Sequence, residues 1–159
     1  MSSLGLAFYD APNPEQYLQL RDGQQPLFLH DEHGSPLLRY TYYPAEELMH
    51  AQWHSNLTTD AVIFGGHTTL LLAQQLKYRW LLNDISLATG DWTEALDWLE
   101  FEWLPQAQEY GLRACAHVFT PSMYNQFVTQ EYLTRLQAYL PIQSFTELEA
   151  AQAWLHGQQ

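Results

Sequence analysis

Three groupings of side chains in this chain have the types and spacing for chemistry. Glu46, His50 and His54 recur at i, i+4 and i+8. On a helix that spacing lines them along one face, where two histidines can grip a divalent metal. Ala51, however, stands where a metalloprotease helix carries its glutamate, and no pattern brings His30, His33 or His67 in as a third ligand. Solvated helix histidines are the plainer reading, so no metal is expected. Cys115 and His117 lie two apart in a run that reads as a strand, so they share a face. That placement alone does not align a nucleophile with a base, and a lone cysteine between Ala114 and Ala116 reads as a small core residue. Ser86 and Thr89 fall in the stretch Asp84-Ile85-Ser86-Leu87-Ala88-Thr89-Gly90-Asp91, which reads as a loop entering a helix. Free N–H groups at a helix start receive phosphate, so Asp84, Ser86, Thr89 and Asp91 form a candidate regulatory loop. Against this, both carboxylates oppose an added phosphate, and Ser and Thr are common turn formers.

No Gly-x-Ser-x-Gly elbow, phosphate-binding glycine loop or dinucleotide fingerprint occurs, and Gly65-Gly66-His67 is too short to count as one. No catalytic residue and no cofactor are therefore assigned. The aromatic residues offer a different chemistry, that of contact. Trp92, Leu96, Leu99 and Trp103, joined by Ala95, fall on one helical face and predict a buried stripe. Trp98 and Phe101 lie partly off that stripe. Together with Phe64 and Trp92 they mark a candidate ligand or partner surface, the plainer reading being core with partly covered rings.

The elements that position these residues follow from breakers and periodicity. Residues 1–25 carry Pro12, Pro14 and Gly23 among polar residues and read as a leader with little regular structure, Tyr17 to Leu20 offering at most a short edge strand. Leu27–His30 and Leu37–Tyr43 flank a Gly34 turn and predict a β-hairpin. Pro44, followed by Glu46 and Glu47, predicts a helix to about Leu57. A second helix is expected from His67 to Lys77, with Ala61-Val62-Ile63-Phe64 between them as a buried linker or the lip of a pocket. Trp80-Leu81-Leu82 reads as a buried strand. Asp91 and Glu94 have capping-box spacing at the start of the tryptophan-rich helix, which Pro105 should kink and Gly111 should stop. Arg113–Phe119 predicts a strand, Ser122 a helix to about Leu140, and Ile142–Phe145 a last strand. Thr146 and Glu149 have capping-box spacing for a final helix. The alternation predicts an α/β single domain over residues 26–157, with a mixed, mostly parallel sheet flanked by helices and opening with the hairpin.

Composition limits the function classes. The 159 residues hold 18 Asp+Glu against 6 Lys+Arg, a formal charge of −12, with Lys77 the single lysine. Clustered cations are needed to displace counterions from phosphates, so nucleic acid is not an expected partner, and an anionic membrane surface would repel the chain. One cysteine excludes an intrachain disulfide, no stretch is long and apolar enough for a membrane span, and the start lacks a secretory pattern. A cytoplasmic location is the expectation. Asp97, Glu100, Glu102 and Glu109 read as the solvated face of the tryptophan-rich helix.

Several segments resemble the SpoIIAA-like branch of the STAS-like superfamily, which is related to anti-sigma-factor antagonists. They are Tyr43-Pro44-Ala45-Glu46-Glu47 after the hairpin, Leu81-Leu82-Asn83-Asp84, Trp98 with Trp103-Leu104-Pro105, Gly111-Leu112-Arg113, and the tail from Phe145 to Leu155. The resemblance covers roughly residues 27–156 and rests on packing motifs. It implies a mixed sheet with helices largely on one side, and regulatory or ligand-binding roles, including distant similarity to modules that hold hydrophobic ligands. Phosphorylated antagonists carry an Asp-Ser-Ser/Thr-Gly segment before a helix. Asp84–Asp91 lacks it, so partner switching does not carry over. The expected function is a bacterial-type, non-enzymatic regulatory module that contacts a protein partner or a second copy of itself. The alternative is a carrier or sensor of a small hydrophobic ligand, and a metal-dependent hydrolase comes last.

Overall fold

The computed structural model describes residues 13–159, so the leader up to residue 12 lies outside it. The rest of the leader departs from expectation. Tyr17 to Leu20 is no edge strand but part of helix α1 (Pro14–Arg21). Asn13 and Gln16 exchange side-chain-to-backbone hydrogen bonds of 2.8 and 3.1 Å, and Pro14 occupies the first turn, where a missing N–H costs nothing. Leu20 is fully buried in the core, which anchors the helix.

The expected hairpin forms from β1 (Leu27–His30) and β2 (Pro36–Tyr43), which pair antiparallel. The next segment corrects the sequence reading. Pro44 opens only a 3-10 turn, Pro44–Glu46, and Glu47 then takes a left-handed φ of 53° that reverses the chain. In place of a helix to Leu57 comes β3 (Leu48–Asn56), antiparallel to β2. Alternation decides it: Met49, Ala51 and Trp53 are buried in the main core, while His50 and Gln52 between them are half-covered on the other face. A period of two buries such a set only in a sheet.

Helix α2 (Thr59–Leu76) is capped by the Thr58 hydroxyl, which accepts the Ala61 N–H at 3.1 Å. Ala61–Phe64 is thus not a linker between two helices but the first turns of this one, with Val62 lining a pocket. Gly65 and Gly66 do not interrupt it either. A Cβ on Gly65 would come within 2.6 Å of the Trp53 ring, and one on Gly66 within 2.6 Å of the Trp98 ring. The helix cost of each glycine, about 1 kcal/mol, is offset by two indoles packing directly on bare backbone.

Strand β4 (Trp80–Thr89) runs straight through Asn83 and Asp84, so most of the expected regulatory loop is strand. After Gly90 a composite helix follows: a 3-10 turn (Thr93–Ala95), α3 (Leu96–Trp98), a π-helical segment (Leu99–Trp103) and α4 (Leu104–Glu109). The Asp91–Glu94 capping box is absent. Asp91 instead accepts from the N–H and hydroxyl of Thr93, at 3.0 and 2.7 Å. Pro105 lacks an N–H and its ring crowds the carbonyl four residues back. Widening the preceding turn, where the Leu104 N–H bonds the Leu99 carbonyl, lets the helix continue past it. Strand β5 (Ala114–Val118), α5 (Met123–Leu136, capped by Ser122), β6 (Ile142–Phe145) and α6 (Leu148–Gly157) complete the chain. The Thr146–Glu149 box is also absent, since Glu147 is the N-cap and gives no side-chain bond.

The six strands stand in sequence order, β1 to β3 antiparallel and β3 to β6 parallel. Each parallel step moves one strand further in the same direction. Right-handed crossovers therefore put α2, the composite helix and α5 on one face. That face holds the main core, and Leu20 joins it from α1. The other face carries a smaller cluster in which Ala151 and Leu155 of α6 meet Leu48, Trp80, Leu82 and Ala116. No helix among the described residues is long and apolar enough to cross a membrane.

Candidate functional site

The three-layer packing on the main face leaves a cleft between the sheet, α2 and the composite helix. Alternation turns Trp53 of β3 and Asn83 of β4 toward it, α2 contributes the bare backbone at Gly66, and Trp92, Trp103 and Tyr132 close it. Its interior is about 30 Å³ and partly open to solvent, room for about two methyl- or water-sized groups. Leu99 and Trp103, which bound the π-helical segment, both reach the wall. Such widened turns recur at functional sites because they re-aim side chains that a regular helix would place elsewhere.

Most polar groups of the wall are bonded within the protein. The Trp53 indole N–H can only donate, and Asn83 Oδ1 accepts it at 2.8 Å. Asn83 Nδ2 must then face His117 and donates to His117 Nδ1 at 3.1 Å. This leaves the imidazole proton on Nε2, which donates to the Thr129 hydroxyl at 3.2 Å. Trp103 donates to the Gly66 carbonyl at 3.1 Å, and Thr69 shares its hydroxyl with Tyr40 at 2.8 Å. Burial pushes His117 down to about 3, against a weaker upward pull from the Asp84 carboxylate, so the ring is neutral at physiological pH. Burial likewise pushes the Cys115 thiol up to about 12, although bonds from Tyr132 and the Asn83 backbone favour its thiolate. Cys115 and His117 do share a strand face and are both buried, but neither is a nucleophile or an available base in this state. The cleft is therefore uncharged, aromatic and internally hydrogen-bonded.

The residues singled out from sequence are dispersed. Of the four proposed surface aromatics, Phe64 and Trp92 are each only 4% exposed, Trp98 is half-buried against Gly66 and 4.9 Å from the His67 ring, and Phe101 alone is exposed. They form no common surface, and Trp92 belongs to the cleft wall. Asp84 and Ser86 sit on the opposite sheet face. Asp84 is buried and accepts from His50 Nε2 at 3.0 Å and from the Ser86 N–H at 2.9 Å. Burial raises its pKa, but bonds from His50 and Ser86 outweigh this and hold the carboxyl below its usual range. An ester phosphate on Ser86 would meet that carboxylate, and Thr89 lies at the strand's far end. Glu46, His50 and His54 share no helical face: Glu46 bonds His156 at 2.7 Å, while His50 bonds Asp84. Among the described residues, no three His, Cys, Asp or Glu side chains converge as a metal site. On the composite helix, Glu100 is not solvated but pairs with Arg135 at 3.2 Å and accepts from Tyr139 at 2.8 Å.

Sequence reasoning missed Trp53, Asn83, Gly66 and Tyr132. The alternation of Met49, Ala51 and Trp53 carried the signal for the first. The others meet only through register. Comparison with protein-family models, with curated proteins and with solved structures returns no significant match for this chain.

Proposed function

We propose that this protein is a SpoIIAA-like binding module that takes the apolar end of a small ligand into the tryptophan-lined cleft, without transforming it. The observation that carries this reading is the wall itself: three indoles and a tyrosine around a space in which the Trp53 and Trp103 indole N–H groups and the Asn83 amide already have protein acceptors. Such a wall recognises shape and apolar surface, the usual composition of a small-molecule site. The neutral imidazole and protonated thiol beside it support binding over catalysis. The opening hairpin and the placement of three crossover helices on one face support the family likeness.

A second reading, a regulatory module that contacts a protein partner, draws on α5. Met123, Tyr124 and Phe127 on its first turns are 84%, 67% and 56% exposed, more apolar surface than a solvated helix needs. Native mass spectrometry on gently purified protein separates the two. A stoichiometric small-molecule adduct, lost in Val62→Phe, which fills the cleft from α2, is the expected result. A clean apo dimer or a retained protein partner with no adduct would replace the first reading with the second.

A further inference from the structure

A second cavity lies at the other end of the parallel strands and has the opposite character. Arg79 and Arg113 are the residues immediately before β4 and β5, where Trp80 pairs with Ala114. The Arg113 N–H donates to the Arg79 carbonyl at 2.8 Å, which ties the two residues side by side at the N-terminal ends of two interior strands. Like charges in neighbouring positions of a sheet repel and destabilise it unless something neutralises them. With 18 carboxylates in the chain, a partner for each guanidinium would be easy to supply. Yet among the described residues a single carboxylate lies within ion-pair distance of the two, Glu47 at 3.4 Å from Arg79 Nε, and both members of that pair are about half exposed. The Arg113 guanidinium has no ion-pair partner among the described residues. Lys77, two residues before Arg79, holds its ammonium over the Tyr110 ring and does not line this site. The two arginines line a pocket of about 300 Å³ together with Trp80, Ala114, Pro141, Gln158 and Gln159.

We infer that this pocket binds the phosphate group of a small molecule, with Arg79 and Arg113 as its clamp. Guanidinium forks match tetrahedral oxyanions in charge and geometry, and two of them lining one pocket offer more donors than a lone surface cation can. The pocket is larger than a phosphate needs and leaves room for an uncharged remainder lying on Trp80 and beside the Gln158 amide. The site is separate from the cleft, and its occupation does not depend on the reading given for that cleft.

Inorganic pyrophosphate is the probe. Titrated into the whole chain at physiological salt, it should produce saturable shifts of the Arg79 and Arg113 Nε–H resonances, with a dissociation constant below about 1 mM. Arg113→Gln should weaken binding at least about tenfold, since it removes the charge from one of the two donors that hold the anion. Arg113→Lys should recover only part of that affinity, and Arg135→Gln, which removes a cation elsewhere, should leave it unchanged. Inorganic phosphate and a phosphate monoester, run in parallel, tell free anion from ligand headgroup by which binds tighter. Shifts that never saturate, or saturation equally strong in Arg113→Gln, would overturn the inference.

Discussion

The two ends of the parallel sheet solve opposite problems. Under its C-terminal half, Trp53, Trp92 and Trp103 surround an uncharged space in which the Trp53 and Trp103 N–H groups are paired within the protein. At the N-terminal ends of β4 and β5, Arg79 and Arg113 flank a wider pocket, and among the described residues Glu47, which pairs with Arg79, is the one carboxylate within ion-pair distance of either. The difference is one of what each site asks of water. The cleft gains from excluding it, and every buried donor there needs an internal acceptor to avoid a desolvation penalty. The edge pocket stays hydrated, and its charges wait for an external counterion at little cost to stability. Stability should therefore depend on the cleft and anion affinity on the edge, with little crossover between them.

The largest expected effect is on the cleft side. Trp103→Ala removes a buried indole and its bond to Gly66, and should cost about 3–5 kcal/mol in urea unfolding while the surviving folded fraction keeps its pyrophosphate affinity. Loss of that affinity in step with the cleft would break the separation between the two ends.

Acid should act through the cleft as well. His117 is neutral in the fold, with its pKa near 3 against an ordinary 6.5. Below about pH 6.5 the unfolded chain takes up a proton that the native one refuses, so stability falls by about 1.4 kcal/mol per pH unit until the fold itself protonates. His117→Gln should remove most of this slope between pH 6.5 and 4.5, with partial burial of His67 leaving a smaller residue of the same sign. Asp84, whose folded pKa is depressed, contributes stability that is lost only as pH falls below about 4. A urea midpoint that is flat from pH 6.5 to 4.5 in the unmodified protein would show that His117 is not held neutral.

Gly65→Ala sharpens the comparison at smaller scale. Its new methyl would sit 2.6 Å from the Trp53 ring and 2.7 Å from Leu38. Overpacking of about 1–3 kcal/mol should exceed the helix-propensity gain of about 1 kcal/mol and quench or shift the Trp53 fluorescence. At the bottom of the scale, Arg79→Gln and Arg113→Gln should move the urea midpoint by no more than about 0.5 kcal/mol, since both side chains are exposed. A large destabilisation there would make the arginines structural rather than ligand-binding.

Much of this architecture is legible in local pattern. The hairpin around Gly34, the buried stripe of Trp92, Leu96, Leu99 and Trp103, the strands at Ala114–Val118 and Ile142–Phe145, and the cap at Ser122 all depend on periodicity or on a single turn. The candidate site was legible only in part. Phe64, Trp92, Trp98 and Phe101 stand out as aromatic residues, but their exposure depends on what packs over them. Pro44 with two glutamates imitates a helix start, and only pairing with β2 and β4 makes Leu48–Asn56 a strand. Gly65 and Gly66 look like breakers until two indoles are laid against them.

By itself, the sequence determined which segments alternate, which caps and turns were available, and that a −12 chain would spend its few cations sparingly. Only the tertiary structure decided that Trp53, Asn83 and His117 form one chain of bonds across three strands, and that Arg79 and Arg113 stand side by side. The reason is physical. Period and propensity act over a few residues, whereas strand register and crossover hand bring together residues 30 or more positions apart, and no local preference encodes which of them will meet.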